Sequence, residues 1–362
     1  MNHITNIQLF ALIVIFEVGS TTLFALGIGA KQNAWVVVLC AYLCSLLLIW
    51  AYTQIPKYYP HKNFAFILDD TLGKALAKPL LLLFGLYFLN QTMHNFYEFG
   101  ALINMTALPH TPLSFILYVF IIVIIYILIL GIEVLTRSIE IVFPFFILVL
   151  IAIYFLNLLT GEFEWNNLQP ILGNGITPVL KEVPNVLSFP FGEMIVFLTF
   201  WHFVKDPNSI RRTTYIAVSF STLLLLTSLL VILAVLGPKL ASHTEIPLLE
   251  TLLSIHIGMI FTNLDSIGVF IMFIGGFFKT AIHFYGFCLA ITWLLNKQKP
   301  NWIIVVAGLL LPVLSLMRFE SLNDQRWKGI DEGIYNILIY SLIPVFLVIL
   351  IAVKNWAKRK EK

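Results

Sequence analysis

Four ionisable side chains stand inside long apolar runs: Glu17, Glu98, Glu193 and Lys279. A charge near the centre of a bilayer costs roughly 2.5–3.5 kcal/mol on insertion scales, so such residues face a protein interior or a wet cavity and pair with one another. Three acids and one base cannot all be ionised and mutually paired. One ion pair is expected, with at least one glutamate protonated at neutral pH, since a lone buried charge is costly. Their chemistry is ion pairing and proton holding, and Glu17, Glu98, Glu193, Lys279 and His283 form the ion- or proton-linked set.

Polar residues recur beside these charges at helical spacing. Asn90, His94 and Glu98 follow at i, i+4 and i+8, one stripe on a helix, with Gln91 and Asn95 next to it. Lys279 and His283 are also i, i+4, and Thr280 is adjacent. Either stripe suits a structural polar network or the wall of a binding site.

Two further stretches hold residues that break helices. Glu17-Val18-Gly19-Ser20-Thr21-Thr22 lies in the middle of one apolar run, and Ser188-Phe189-Pro190-Phe191-Gly192-Glu193 in the middle of another. Pro190 lacks an N–H and clashes with the preceding turn, and Gly192 tolerates unusual backbone angles. A broken helix frees peptide groups that hydrocarbon cannot satisfy, which is tolerable inside protein or against a wet cavity. Half-helix N-termini suit a carboxylate, and freed carbonyls suit an ammonium. The Gly19–Thr22 run equally suits a close helix-packing face. The candidate ligand-binding residues are thus Gly19, Ser20, Thr21, Thr22, Asn90, His94, Glu98, Phe189, Pro190, Phe191, Gly192, Glu193 and Thr280.

No enzyme motif accompanies them: the chain contains no HExxH, GxSxG, phosphate loop or paired CxxC, and it is expected not to be an enzyme. Cys40, Cys44 and Cys288 have no metal-ligand company, so neither a metal nor a cofactor is implied. Nothing points to nucleic acid.

The elements that must position these residues are membrane spans. The 362 residues are 59% hydrophobic and 11% charged, against about 25% charged in soluble domains. Runs of about 20 apolar residues number ten, near 7–29, 33–53, 79–102, 112–131, 139–159, 184–204, 213–236, 262–294, 301–317 and 334–353. The expected fold is an all-α integral membrane protein, one transmembrane domain over 1–362. It divides into five spans plus five, a first repeat near 7–159 and a second near 184–353. An odd number of spans per half makes the repeat inverted, and interrupted first spans in both halves point to a site at mid-depth. Spans three and eight hold equivalent places, so their stripes should face one interior.

With the N-terminus cytoplasmic, fifteen Lys and Arg fall on the cytoplasmic side and six opposite, so both termini are expected inside. Residues 61–77 read as a short amphipathic helix on the inner side. Ile246–Gly258, with Pro247 at a helix start, reads as a re-entrant cap over the outer mouth. The most polar connection, 318–333, is expected outside.

The length, the span count, the Gly19-Ser20-Thr21 break and the Phe189-Pro190-Phe191-Gly192-Glu193 motif opening span six resemble one family. It is the permease-like B subunits of spore germinant receptors (GerAB family), similar in turn to the amino acid–polyamine–cation (APC) superfamily of LeuT-like fold. The resemblance covers essentially the whole chain. It implies a subunit in the spore inner membrane that recognises a small germinant, often an amino acid, beside an A-type subunit and a C-type lipoprotein subunit. By the same likeness the ligand lies between broken helices one and six and spans three and eight, with Gly19, Ser20, Thr21 and Phe189–Glu193 as pocket positions. In sodium-coupled relatives a cation sits between spans one and eight, where the Lys279 ammonium stands as a substitute. A proton-coupled amino acid permease is the alternative expectation.

Overall fold

The computed structural model describes residues 3–159, 163–173, 175–253 and 265–360. Among these residues the chain is helical, and its only extended pairing is a parallel bridge between Ile4 and Val204.

The first helix, α1 (Asn6–Val18), starts in a capping box: Thr5 Oγ1 accepts from the Gln8 amide and Gln8 Oε1 from the Thr5 amide, which satisfies orphan donors reciprocally. It stops at Gly19. A short 3-10 turn (Thr21–Leu23), an extended Phe24 and a left-handed Gly27 follow. A second 3-10 stretch (Ile28–Asn33) leads into α2 (Ala34–Tyr58). The matching helix of the second half, α7 (Thr177–Ser188), stops at an extended Phe189 before Pro190. Tight 3-10 turns (Phe191–Thr199, Trp201–Phe203) then replace α-helix. Pro190 gives the second interruption a local cause, whereas Gly19 keeps right-handed helical angles and the chain leaves the helix just after it. The Ile4 amide donates to Phe203 O and the Lys205 amide to Ile4 O, so the two interrupted segments are tied at one end.

The remaining helices of the first half are α3 (Phe64–Leu72), α4 (Lys74–Thr106), α5 (Leu113–Leu130) and α6 (Ile132–Leu159). Those of the second are α8 (Ile210–Ala241), α9 (Pro247–Leu253), α10 (Asp265–Leu294), α11 (Asn301–Arg318), α12 (Leu322–Asp331), α13 (Gly333–Ile337) and α14 (Ile343–Lys360), with a π-helical turn (Leu338–Leu342) before α14. Of the cap expected over Ile246–Gly258, α9 forms, whereas residues 254–258 and the start of span eight lie outside the described residues. The amphipathic stretch at 61–77 is shorter than expected. Asn63 caps α3, Gly73 ends it at φ 76°, and α4 begins at Lys74, well before residue 79.

Among the described residues, eight helices are long and apolar enough to cross a membrane. The other two expected spans, 79–102 and 184–204, correspond to α4 and to the interrupted α7 segment. The polar stripe lowers the apolarity of the first, and the break shortens the helix of the second. Asn6–Leu23 is 83% buried and Gly268–Leu294 82%, against 28% for Ile132–Leu159. The interrupted first helix and α10 are therefore the centre of the bundle, while α6 turns leucine, isoleucine and phenylalanine outward, where lipid would lie.

Two glycines let backbone approach backbone or ring. A Cβ on Gly19 would stand 2.5 Å from Gly275 Cα, so the first break packs directly on α10. A Cβ on Gly192 would stand 2.8 Å from the Tyr340 ring. Tyr340 sits in the π turn, a local feature frequent at functional sites, and its carbonyl accepts from the Tyr52 hydroxyl.

Candidate functional site

A cavity of about 440 Å³ opens at the end of the bundle that carries α9 and α12. Small-molecule sites run to about 300–1,000 Å³. Three sets of groups converge on it: the segment after the first break (Phe24–Ile28), the end of α7 with Phe189 and Glu193, and the α4 residues Gln91, His94, Asn95 and Glu98. The α8–α9 connection, from Ala241 to Pro247, and helix α12 with the start of α13, through Gln325, Arg326, Gly329, Glu332 and Asn336, supply the remaining wall.

Glu193 lies on this wall and meets Lys279 behind it. Lys279 Nζ is 2.5 Å from Glu193 Oε2, with side-chain exposures of 0% and 5%. Neither atom completes an aligned hydrogen bond, so the contact is an ionic one. The ammonium also lies 3.9 Å from the Phe189 ring centroid and 5.4 Å from that of Phe16, and aromatic faces attract such a cation. Glu17 is fully buried on the other break, and neither of its oxygens has a hydrogen-bond partner among the described residues. The same holds for the hydroxyls of Ser20, Thr21, Thr22 and Thr280 and for His283 Nε2. His283 Nδ1 is 3.2 Å from Lys279 O, and its ring packs against Phe16.

The α4 stripe does face the interior, and its partner there is the polar connection 318–333. Asn90 Nδ2 donates to Glu332 Oε2 at 2.6 Å. Gln325 Nε2 lies 3.1 Å from His94 Nδ1, which as acceptor leaves the ring proton on Nε2, 3.4 Å from Glu332 Oε2. Glu98 Oε1 is 3.9 Å from Arg326 Nε. Arg318 completes the set by pairing with Glu332. Glu332, in the link between α12 and α13, feels partial burial, which pushes its carboxyl up. The contacts from His94 and Asn90 and the charge of Arg318 outweigh that and hold it below the ordinary 4.5.

The sequence-derived candidates thus divide. His94, Glu98, Phe189 and Glu193 line the cavity. Asn90 supports it through Glu332. Gly19, Ser20, Thr21, Thr22, Phe191, Gly192 and Thr280 are buried around the two breaks without forming the wall, as is Pro190 between them. The wall residues that sequence reasoning passed over include Phe24–Ile28, the α8–α9 connection and the α12 set. The signal for the α12 set was the unusual polarity of 318–333 in so apolar a chain. Among the described residues, no group of His, Cys, Asp and Glu could hold a metal ion.

Solved structures with this architecture are transporters. Mhp1, a nucleobase-cation-symport-1 family transporter in a closed conformation with bromovinylhydantoin bound, aligns with a TM-score of 0.64 at 11% identity, covering 94% of this chain and 78% of that one. A manganese transporter of Eremococcus coleocola, in complex with an aromatic bis-isothiourea substituted compound, aligns with a TM-score of 0.64 at 12% identity, covering 96% and 76%. At such identity the likeness shows the fold alone, the LeuT-type fold. Fold and cavity together define a multi-pass membrane protein of transporter architecture.

Sequence comparison is more specific. Residues 3–324 match the model of the spore germination protein (spore permease) family, and the chain belongs to that family. Spore germination protein KB of Bacillus subtilis is 30% identical over 358 residues, covering 98% of this chain and 95% of its own. Spore germination proteins YndE and A2 of the same organism are each 25% identical, covering 92% and 89% of this chain and 90% and 87% of theirs.

Proposed function

We propose that this chain is the nutrient-sensing subunit of a spore germinant receptor. It binds a small molecule, an amino acid by preference, at mid-depth in the membrane and signals through partner subunits of the A type and the C (lipoprotein) type. The observation that carries this reading is the 440 Å³ cavity, bounded by both interrupted segments and the α4 stripe, in a chain of the spore germination family. His94, Glu98, Phe189 and Glu193 contact the ligand. Gly19–Thr22, Pro190–Gly192 and Thr280 form the packed hinge behind it, and Asn90 steadies the wall. The protein resides in the spore inner membrane with both termini on the core side, as the distribution of Lys and Arg suggests. It needs no cofactor and carries out no enzymatic reaction.

Binding shifts the half-bundles against each other through the breaks, because a ligand can move a conformational equilibrium only by its differential affinity for the two states. A proton-coupled amino acid permease would use the same cavity, and the buried Glu17, Glu193 and Lys279 favour keeping that reading beside the first. Radiolabelled amino acid uptake by proteoliposomes containing this chain alone tests the choice. Binding without accumulation is expected of a sensor, and robust accumulation would make it a permease. Loss of the germination response in Gly19→Leu or Glu193→Gln, with the protein still abundant, is expected under either. An unchanged response in both would leave the chain as a scaffold.

A further inference from the structure

Two carboxylates of the cavity wall are closely partnered. Glu193 has Lys279, and Glu332 has Arg318, Asn90 and His94. Glu98 and Arg326 are paired only loosely with each other. Glu98 is only 7% exposed, accepts no hydrogen bond from any described residue, and faces Arg326 across 3.9 Å, beyond hydrogen-bonding range. Arg326 donates instead to Glu245 O at 3.0 Å and lies over the Phe24 ring. A nearly buried carboxylate with no donor, beside a guanidinium held by its far side, is an incomplete polar site. The two charges face each other as a loose ion pair without a hydrogen bond between them, and a carboxylate left without a donor is costly, so a ligand that supplies one gains by it.

We infer that Glu98 and Arg326 are the charge-recognising pair for a zwitterionic α-amino acid, its ammonium on Glu98 and its carboxylate on Arg326. This rests on the sensing role proposed above and goes beyond it by naming the two residues that read the ligand's charges. An α-amino acid carries its two charges on either side of a single Cα, a spacing comparable with that of the pair. Its ammonium donates to a carboxylate that has no donor, and its carboxylate matches the planar donor fork of an arginine. Arg326 belongs to α12, so recognition draws on the connection rather than on the breaks alone. Because α12 also holds the α4 stripe through Gln325 and Glu332, the ligand ties α4 and α12 more firmly together.

The test uses the full chain in nanodiscs, with the common L-amino acids screened singly by thermal shift, together with glucose and inosine. The best amino acid is then compared with its methyl ester and its N-acetyl form. A charge-assisted contact corresponds to about 10- to 100-fold in Kd. The parent protein should bind the zwitterion, and each derivative should bind at least tenfold more weakly. Arg326→Gln should lose the discrimination against the ester, and Glu98→Gln that against the N-acetyl form. The comparison of derivatives needs no variant, and unfolding midpoints check that both variants are folded. Equal binding of zwitterion and derivatives, or unchanged selectivity in both folded variants, overturns the assignment while leaving the sensor. Binding of glucose or inosine alone overturns it likewise. Binding of none of these compounds removes the assignment and, with it, an amino-acid sensor.

Discussion

Lys279 Nζ stands 2.5 Å from Glu193 Oε2, joining α10 to the second break in a place almost without solvent. Removing one member leaves the other charged and alone, at a cost of about 3–5 kcal/mol. Glu193→Gln or Lys279→Met should each lower the unfolding midpoint in detergent markedly. The double replacement Glu193→Gln with Lys279→Met should recover much of the loss. A double variant as unstable as the sum of the singles would contradict the pairing.

Glu17, on the other break, should behave in the opposite sense. Neither carboxyl oxygen has a hydrogen-bond partner among the described residues. An unmatched buried polar group costs about 1–3 kcal/mol. Glu17→Leu should therefore be neutral or stabilising in unfolding measurements, while any function of a proton held there is lost. A large drop in midpoint would mean that Glu17 has a partner in the folded protein.

The glycines at the breaks carry a steric prediction. Gly19→Ala would put a Cβ 2.5 Å from Gly275 Cα, and Gly192→Ala one 2.8 Å from the Tyr340 ring. Overpacking of this kind costs about 1–3 kcal/mol. Gly19→Ala should be the worse, because backbone cannot turn aside as a side chain can. Gly333→Ala is the control: nothing lies within 4 Å of its Cβ, and removing a helical glycine of compatible geometry stabilises by about 0.4–1 kcal/mol. Unfolding midpoints of the three variants give the ranking directly.

Docking of α12 should depend on pH through Glu332. Its carboxyl is held below the ordinary 4.5, so it binds fewer protons docked than free. The stabilisation is fully present above 4.5 and is lost as pH falls through the lower, docked value. A spin label at the exposed Trp327 position of α12, introduced as Trp327→Cys with Cys40 and Cys44 replaced by serine, should gain mobility only on acidification below 4.5. Glu332→Gln should flatten that dependence. Mobility that rises with increasing pH would reverse the sign and refute the argument.

Much of the architecture was legible in the sequence because its causes are local. Pro190 removes a donor and Gly19 adds freedom wherever they stand in a helix, so the two interruptions could be located without any tertiary contact. The i, i+4 spacing of Asn90, His94 and Glu98 likewise puts them on one face of any α-helix. Composition alone required lipid as the surrounding solvent.

What the chain does with those faces depended on contacts between residues far apart in sequence. Nothing local says that Lys279 meets Glu193 rather than Glu17 or Glu98, since all three carboxylates share its charge logic. Nothing local says that Gly19 lies against Gly275, or that the α4 stripe meets Gln325, Arg326 and Glu332 some 230 residues later. Spacing along one helix determines direction around that helix, but the partner across a gap is chosen by how the helices pack together. Only that packing decided which polar residues line the cavity and which are sealed behind it.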